Sequence, residues 1–317
     1  MEPARLVVVG SSNTDFVVRV PRLPEKGETI LGTGLSIGGG GKGANQAVAA
    51  ARLGAQVAFV AKLGDDANGQ RALSSYKNEG VDIRHILWDL EEPSGMAMIL
   101  VDPAGENMIA VAPGANWRLM PADIASAEEA IKASDCLLIQ LEVPIETVAE
   151  AVSVARRHAV RVVLNPAPAT RLNLSLLGMV DVLTPNMSEA AGLTGQAVTG
   201  PGDAARAARQ LANQGSTAVV ITLGSQGALA YNRGGATWVP AYRVEEVDST
   251  AAGDAFSAAL AVALARGLSL VDAARYANAV GGLTVTKPGA MASLPREPEV
   301  RAFLESSGPQ PDPVRVM

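Results

Sequence analysis

"IGGGGKGANQAVAAARLG", Ile37 to Gly54, sets four glycines and a lysine directly before an alanine-rich stretch with helical spacing. Glycine opens backbone conformations closed to other residues and lets a ligand approach the main chain, and a helix start offers unpaired N–H groups. Such a loop suits an anion or another polar ligand. The Walker pattern is excluded, because Ser36 stands where its first glycine belongs and Gly43 where its Ser or Thr belongs. The dinucleotide pattern stays open: Gly38, Gly40 and Gly43 fit G-x-G-x-x-G, a strand-like "QVAFV" follows, and Asp65 or Asp66 stands near the ribose-binding distance. A dinucleotide-dependent oxidoreductase is therefore one reading, and it rests on this loop alone.

Outward from the loop, "RLVVVG", "QVAFVAKLG", "DCLLIQL", "RVVLNPA", "DVLTPN" and "TAVVITLG" read as buried strands, separated by amphipathic helices such as "PIETVAEAVSVARRHA" and "GDAARAARQLANQG". That alternation predicts an α/β fold, a mostly parallel sheet with helices on both faces. Two stretches break it. "DFVVRVPRLPEKGETILG" and "SGMAMILVDPAGENMIAVAPGAN" alternate apolar and polar residues around turns, as half-exposed hairpins do, and form one small β-sheet placed as a lid over the open strand ends. The expected organisation is one domain over 1–306, with lid segments near 14–36 and 94–114. The Pro- and Gly-rich tail 307–317 has little to bury and is expected to lack order.

Composition narrows the function. A chain of 317 residues, 48% hydrophobic and 18% charged, is long enough for a large core. Its net charge of −6 is spread without a basic stripe, which argues against nucleic acid or an anionic membrane as partner and for a small polar ligand. No apolar run approaches a membrane span, and the start lacks a secretory pattern, so a cytoplasmic location is expected. The single cysteine, Cys136, lies in an apolar run and reads as a buried structural thiol; His85 and His158, the two histidines, suggest neither a zinc site nor a catalytic triad.

Polar residues recur where strands end: "SSNTD", Glu142, Asn165, Asn186 and "TLGSQG". Each alone is an ordinary loop residue, but together they gather at one edge of the sheet. In "VDSTAAGDAFSAALAVALARG", Val247 to Gly267, small residues lead into a long helix near whose start Asp254 stands. Aspartate there suits the helix dipole and could be structural. The functional alternative is that free N–H groups hold a negative transition state while Asp254 accepts a hydroxyl proton. "NMSE", Asn186 to Glu189, is likewise nearly a capping box, or a carboxylate and amide that place a hydrated magnesium ion.

Taken together, "GSSNTD", "GGKGANQAVAAARLGA", "GENMIAVAPGAN", "QLEVP", "LNPAPA", "TPNMSEA", "ITLGSQGA", "VDSTAAGDAF" and "VTKPGAMASLP" resemble, in order and over nearly the whole length, the ribokinase family of carbohydrate kinases. The resemblance implies a three-layer fold with a β-lid and ATP-dependent phosphorylation of D-ribose at its 5-hydroxyl. By the same resemblance the glycine loop meets the sugar: Asn13, Asp15, Gly41, Lys42, Asn45 and Glu142 would bind it. Asp254 would be the base, with the N–H groups of Ala252, Gly253 and Asp254 as anion hole. Asn186, Thr222, Gly224 and Asn278 would face ATP, and Glu189 with Asn186 would organise Mg2+. Asp248, Thr250, Thr284, Lys287, Gly289 and Ser293 match a loop for a monovalent cation, often K+. Met187 stands where a polar residue is usual, and Pro288 removes an N–H beside the cation loop. A homodimer through the lid sheet is expected. Two rivals remain: the same chemistry on another pentose, 2-deoxyribose or a nucleoside, and a non-catalytic sugar or nucleotide sensor.

Overall fold

The computed structural model describes residues 3–170, 172–308 and 311–316. In chain order the strands are β1 (Arg5–Val9), β2 (Asn13–Arg19), β3 (Gly34–Gly40), β4 (Gln56–Gly64), β5 (Ile86–Asp89), β6 (Gly95–Val101), β7 (Asn107–Ala112), β8 (Cys136–Ile139), β9 (Arg161–Leu164), β10 (Val182–Leu183), β11 (Ala218–Thr222), β12 (Ala228–Asn232), β13 (Gly235–Val239) and β14 (Val314–Val316). Ten of them form the central sheet in the order β14-β13-β12-β11-β10-β9-β8-β1-β4-β5. From β5 to β11 every pairing is parallel; β12, β13 and β14 close that edge antiparallel.

Alternation along β1 shows how the sequence builds three layers. Leu6 and Val8 pack into one core with Ala47, Leu260 and Val280, from the helices Lys42–Arg52, Ala252–Ala265 and Leu270–Thr284. Val7 and Val9 point the other way, to Val148 and Val152 of the helix Ile145–Arg157. Strands covered on both faces must be apolar throughout, which is why the core runs read as continuous Val and Leu. Cys136 belongs to the first core, and burial pushes its thiol up to about 12, so it packs as an apolar side chain.

The small sheet runs β3-β2-β6-β7, with β2 and β6 parallel at its centre and the two outer pairings antiparallel. Only Gly10, Ser11 and Ser12 separate β2 from β1, so the lid is rooted at the carboxyl end of a core strand. The chain therefore brings lid root, glycine loop and the ends of β8, β9 and β10 to one place.

The tail departs from its expectation. Val314–Val316 adds to the sheet edge, with Val314 opposite Trp238 and Val316 opposite Ala236. An exposed β13 would leave a row of unpaired backbone groups, and three residues of strand cover it. Residues 309, 310 and 317 of that tail lie outside the described residues. No helix among the described residues is long and apolar enough to cross a membrane.

Candidate active site

The glycine loop is not an anion cradle. Gly41 adopts φ +88°, and a Cβ there would stand 2.8 Å from Asn13 N, so only glycine allows the turn. Beyond it the first helical N–H groups have protein partners. Lys42 N donates to Glu142 Oε2 at 3.0 Å, Gly43 N to Ser11 Oγ at 3.4 Å and Ala44 N to Ser11 O at 2.8 Å. Ser11 Oγ in turn donates to Glu142 Oε2 at 2.5 Å. The dinucleotide reading fails on the same geometry. Its glycines must follow a parallel core strand, whereas Gly38 and Gly40 lie within β3, an outer strand of the lid. Asp66 caps the helix Ala67–Asn78, accepting from Gly69 N at 2.7 Å, and is structural.

The open helix start is the other one. Ala251 sits in the left-handed region at φ +62°, a strained conformation for alanine, and leads into the helix Ala252–Ala265. Ala252 N bonds Ser249 O at 3.2 Å, while the N–H groups of Gly253 and Asp254 have no partner among the described residues. A Cβ on Gly253 would meet nothing within 4 Å. No protein atom demands glycine at this helical position, where alanine is favoured by about 1 kcal/mol. The space belongs to a cavity of about 210 Å³ lined by Lys42, Asn186, Glu189, Thr222, Gly253 and Asp254. Donors, dipole and a cation thus converge on one cavity.

Asp254 is 6% exposed. Asn45 Nδ2 donates to its Oδ2 at 2.9 Å and Gln46 Nε2 to its Oδ1 at 3.1 Å. Burial raises its carboxyl above the ordinary range, while Lys42 and the two amides oppose that rise. A raised value strengthens it as a proton acceptor near neutrality. The Lys42 ammonium is held above its ordinary value, chiefly by Asp254 and also by Glu142 and Glu189, so it remains a cation between the two halves of the site.

On the lid side, Ser12 N donates to Asn116 Oδ1 at 2.8 Å and Asn116 Nδ2 to Asn13 Oδ1 at 2.8 Å. The Asn13 oxygen being occupied, its NH2 is the end left for a ligand. Asn45 Oδ1 is buried without a partner, ready for a hydroxyl proton. Burial, with Glu142 and Asp254 nearby, pushes Asp15 up to about 6. Sequence reasoning missed Gln46, Gln140, Ser11 and Asn116 as site residues; an amide flanking an apolar run was the one signal for Gln46.

Asn186 and Glu189 do form the capping box: Asn186 Oδ1 accepts from Glu189 N and Glu189 Oε2 from Asn186 N, each at 2.8 Å. Glu189 Oε1 keeps no hydrogen bond among the described residues, and burial raises this carboxyl. Thr222 bridges Asn186, and Gly224 opens the next turn at φ +58°. Asn278 points both Nδ2 protons at the carbonyls of Val239 and Pro240, at 3.0 and 3.1 Å, so its amide pins the end of β13. In the expected cation loop, Asp248 accepts from Thr250 N at 2.9 Å and Gly289 N at 2.8 Å, joining its two segments. Thr284 and Ser293 donate to the carbonyls of Val280 and Ala290, and Lys287 turns to Glu299 at 2.5 Å.

A model of the pfkB family carbohydrate kinases matches residues 3–297. A ribokinase of Haemophilus influenzae is 42% identical over 300 residues, 95% of this chain and 98% of the relative. A deoxyribokinase of Salmonella typhi is 35% identical over 300 residues, 94% of this chain and 98% of its own. Among solved structures, Arabidopsis thaliana ribokinase complexed with ribose and ATP superposes with a TM-score of 0.89 at 32% identity, covering 96% of this chain and 99% of that one. The chain belongs to the pfkB family of carbohydrate kinases.

Two predictions follow from the geometry. A role for the Asp15 carboxylate in sugar capture predicts that kcat/KM for the sugar falls as pH drops below about 6. Stability moves oppositely: a folded value above the ordinary 3.8 means that the group's favourable contribution is full below that pH and is lost as pH rises through about 6. Asp15→Asn should therefore unfold at a higher temperature than the parent at neutral pH, and a lower Tm would contradict burial as the cause. Gly253→Ala should keep or raise Tm while lowering kcat by roughly a hundredfold, because the added methyl group enters the space in front of the free N–H groups. An unchanged kcat would show that no phosphoryl group uses that space.

Proposed function

We propose that this carbohydrate kinase transfers the γ-phosphoryl group of ATP to the 5-hydroxyl of D-ribose, giving D-ribose 5-phosphate and ADP. The observation that carries the reading is the double role of one helix start: a buried carboxylate, Asp254, beside free N–H groups that open on a cavity. Asp254 takes the hydroxyl proton as the ribose oxygen forms its bond to the γ-phosphorus, and the bond to the ADP oxygen breaks. The N–H groups of Gly253 and Asp254, with Lys42, face the charge that grows on the phosphoryl oxygens; positioning and charge stabilisation are the main needs of this transfer.

Asn13 offers its NH2 to the sugar, while Asp15 and Asn45 Oδ1 accept its hydroxyl protons. The same set favours ribose over 2-deoxyribose, the substrate class named by the Salmonella relative. A missing hydroxyl would leave one of these groups unpaired, at about 1–3 kcal/mol. Thr222, Gly224 and Asn278 form the ATP side. Glu189 Oε1, with Asn186 behind it, suits a magnesium ion that keeps its waters, and the ion would neutralise phosphate charge. The loop tied by Asp248 to Thr250 and Gly289 suits K+, bound through main-chain carbonyls of the segment that includes Thr284, Lys287 and Ser293; Pro288 stiffens it.

The lid excludes water from the transfer. In its strand registers Leu35, Ile37, Met98 and Met108 share the face opposite Asp15 and all are exposed, which supports a homodimer through this sheet. A monomer in sedimentation at micromolar concentration would refute that assembly. The cytoplasm is the compartment where ATP is at hand, and it is the location proposed.

A coupled ADP-release assay with ATP, magnesium and potassium tests the activity. Ribose should be the best acceptor among ribose, deoxyribose, fructose and adenosine, and Asp254→Asn should lose about three orders of magnitude in kcat while still binding sugar. A different best acceptor would change the substrate, and sugar binding without any turnover would favour the sensor.

A further inference from the structure

Around Asp254 the side-chain amides form a chain whose direction is fixed at its far end. The carbonyl of Thr184 only accepts, so Asn165 must turn its Nδ2 toward it, at 3.0 Å. Asn165 Oδ1 is then left to accept, and Gln46 Nε2 donates to it at 3.1 Å. The same Gln46 nitrogen donates to Asp254 Oδ1 at 3.1 Å. With that nitrogen committed, Gln46 Oε1 accepts from Gln140 Nε2 at 2.5 Å. Gln46 and Gln140 are both wholly buried.

Gln140 is an unfavourable residue for folding at this place. Its Oε1 has no partner among the described residues, and it fills the space where a Cβ on Gly10 would stand, 2.0 Å away. An unpaired buried acceptor destabilises, and an apolar side chain of similar shape would remove that penalty. What the amide supplies here is its NH2, aimed at Gln46.

We propose that Gln46, held by Gln140, is a positioning residue that fixes the Asp254 carboxylate in the orientation from which it takes the sugar's proton; this rests on the kinase reading above. Asn45 holds Oδ2 while Gln46 holds Oδ1, so the carboxylate cannot rotate without losing both bonds. Asn165 and Asp254, both acceptors there, keep the Gln46 nitrogen toward the base, and Gln140 anchors the carbonyl end of the same side chain. Gln46→Glu preserves volume and still accepts from Gln140, but presents a carboxylate that cannot donate to the base. Gln140→Leu leaves every group that touches sugar or phosphate in place and removes the one donor to Gln46 Oε1, so that the Gln46 side chain is anchored at its nitrogen end only.

Steady-state kinetics with ribose and ATP, together with thermal unfolding of the full-length chain, test this. Gln140→Leu should unfold at the same or a higher temperature, yet lose about tenfold in kcat, with KM for ribose and ATP within about threefold of the parent. Gln46→Glu should lose about a hundredfold in kcat with sugar binding retained. A Gln140→Leu enzyme with parental kcat would overturn the inference, as would one that loses stability and activity together, the mark of a purely structural amide. A parent chain that phosphorylates no sugar would remove the kinase reading and the inference with it, and that result is visible before any variant is made.

Discussion

A carboxylate that is almost wholly buried has to be held by donors from several directions, and in this molecule that requirement sets the relation between two helices distant in sequence. Asn45 and Gln46 come from the helix behind the glycine loop, and Asp254 from the helix behind the second small-residue turn. Unpaired, a buried charge would cost several kcal/mol; here Lys42 and the two amides oppose the rise that burial imposes on the carboxyl. The apolar faces of those helices share one core with β1, so the packing that stabilises the protein also fixes the carboxylate.

The two helix starts divide the work. At the first, Ser11 and Glu142 take the N–H groups, and the loop becomes a rigid support that presents Asn45 and Gln46. At the second, a left-handed alanine and an open glycine leave N–H groups facing a cavity. In the proposed reaction, dipole and donors act where the phosphoryl group would pass, and polar side chains where the sugar would lie. Lys42 stands between them, its main chain bound to Glu142 and its charge facing Asp254 and Glu189.

Most of the fold was legible because its signals are local. Six apolar runs became β1, β4, β8, β9, β10 and β11, and alternating stretches became the lid. The β12–β13 hairpin and β14 were not read. Each strand there is short, and Val314–Val316 has no meaning until β13 exists to pair with it. The glycine loop misled for a related reason: its free N–H groups are satisfied by Ser11 and Glu142, the latter 100 residues away. Asp254, Asn13 and Asp15 were reached through resemblance, since aspartate in a first helical turn is equally a dipole partner. Gln46 and Gln140 were out of reach, because an amide beside an apolar run does not disclose which way its dipole points.

The central claim is that the start of the helix Ala252–Ala265, and not the glycine loop, receives the transferring phosphoryl group. A crystal structure with ribose, ADP and aluminium fluoride as a mimic of that group tests it most directly. The account predicts fluoride within hydrogen-bond reach of the Gly253 and Asp254 N–H groups, with the ribose 5-oxygen against the Asp254 carboxylate. A mimic seated instead on the main chain between Gly38 and Gly43 would contradict it.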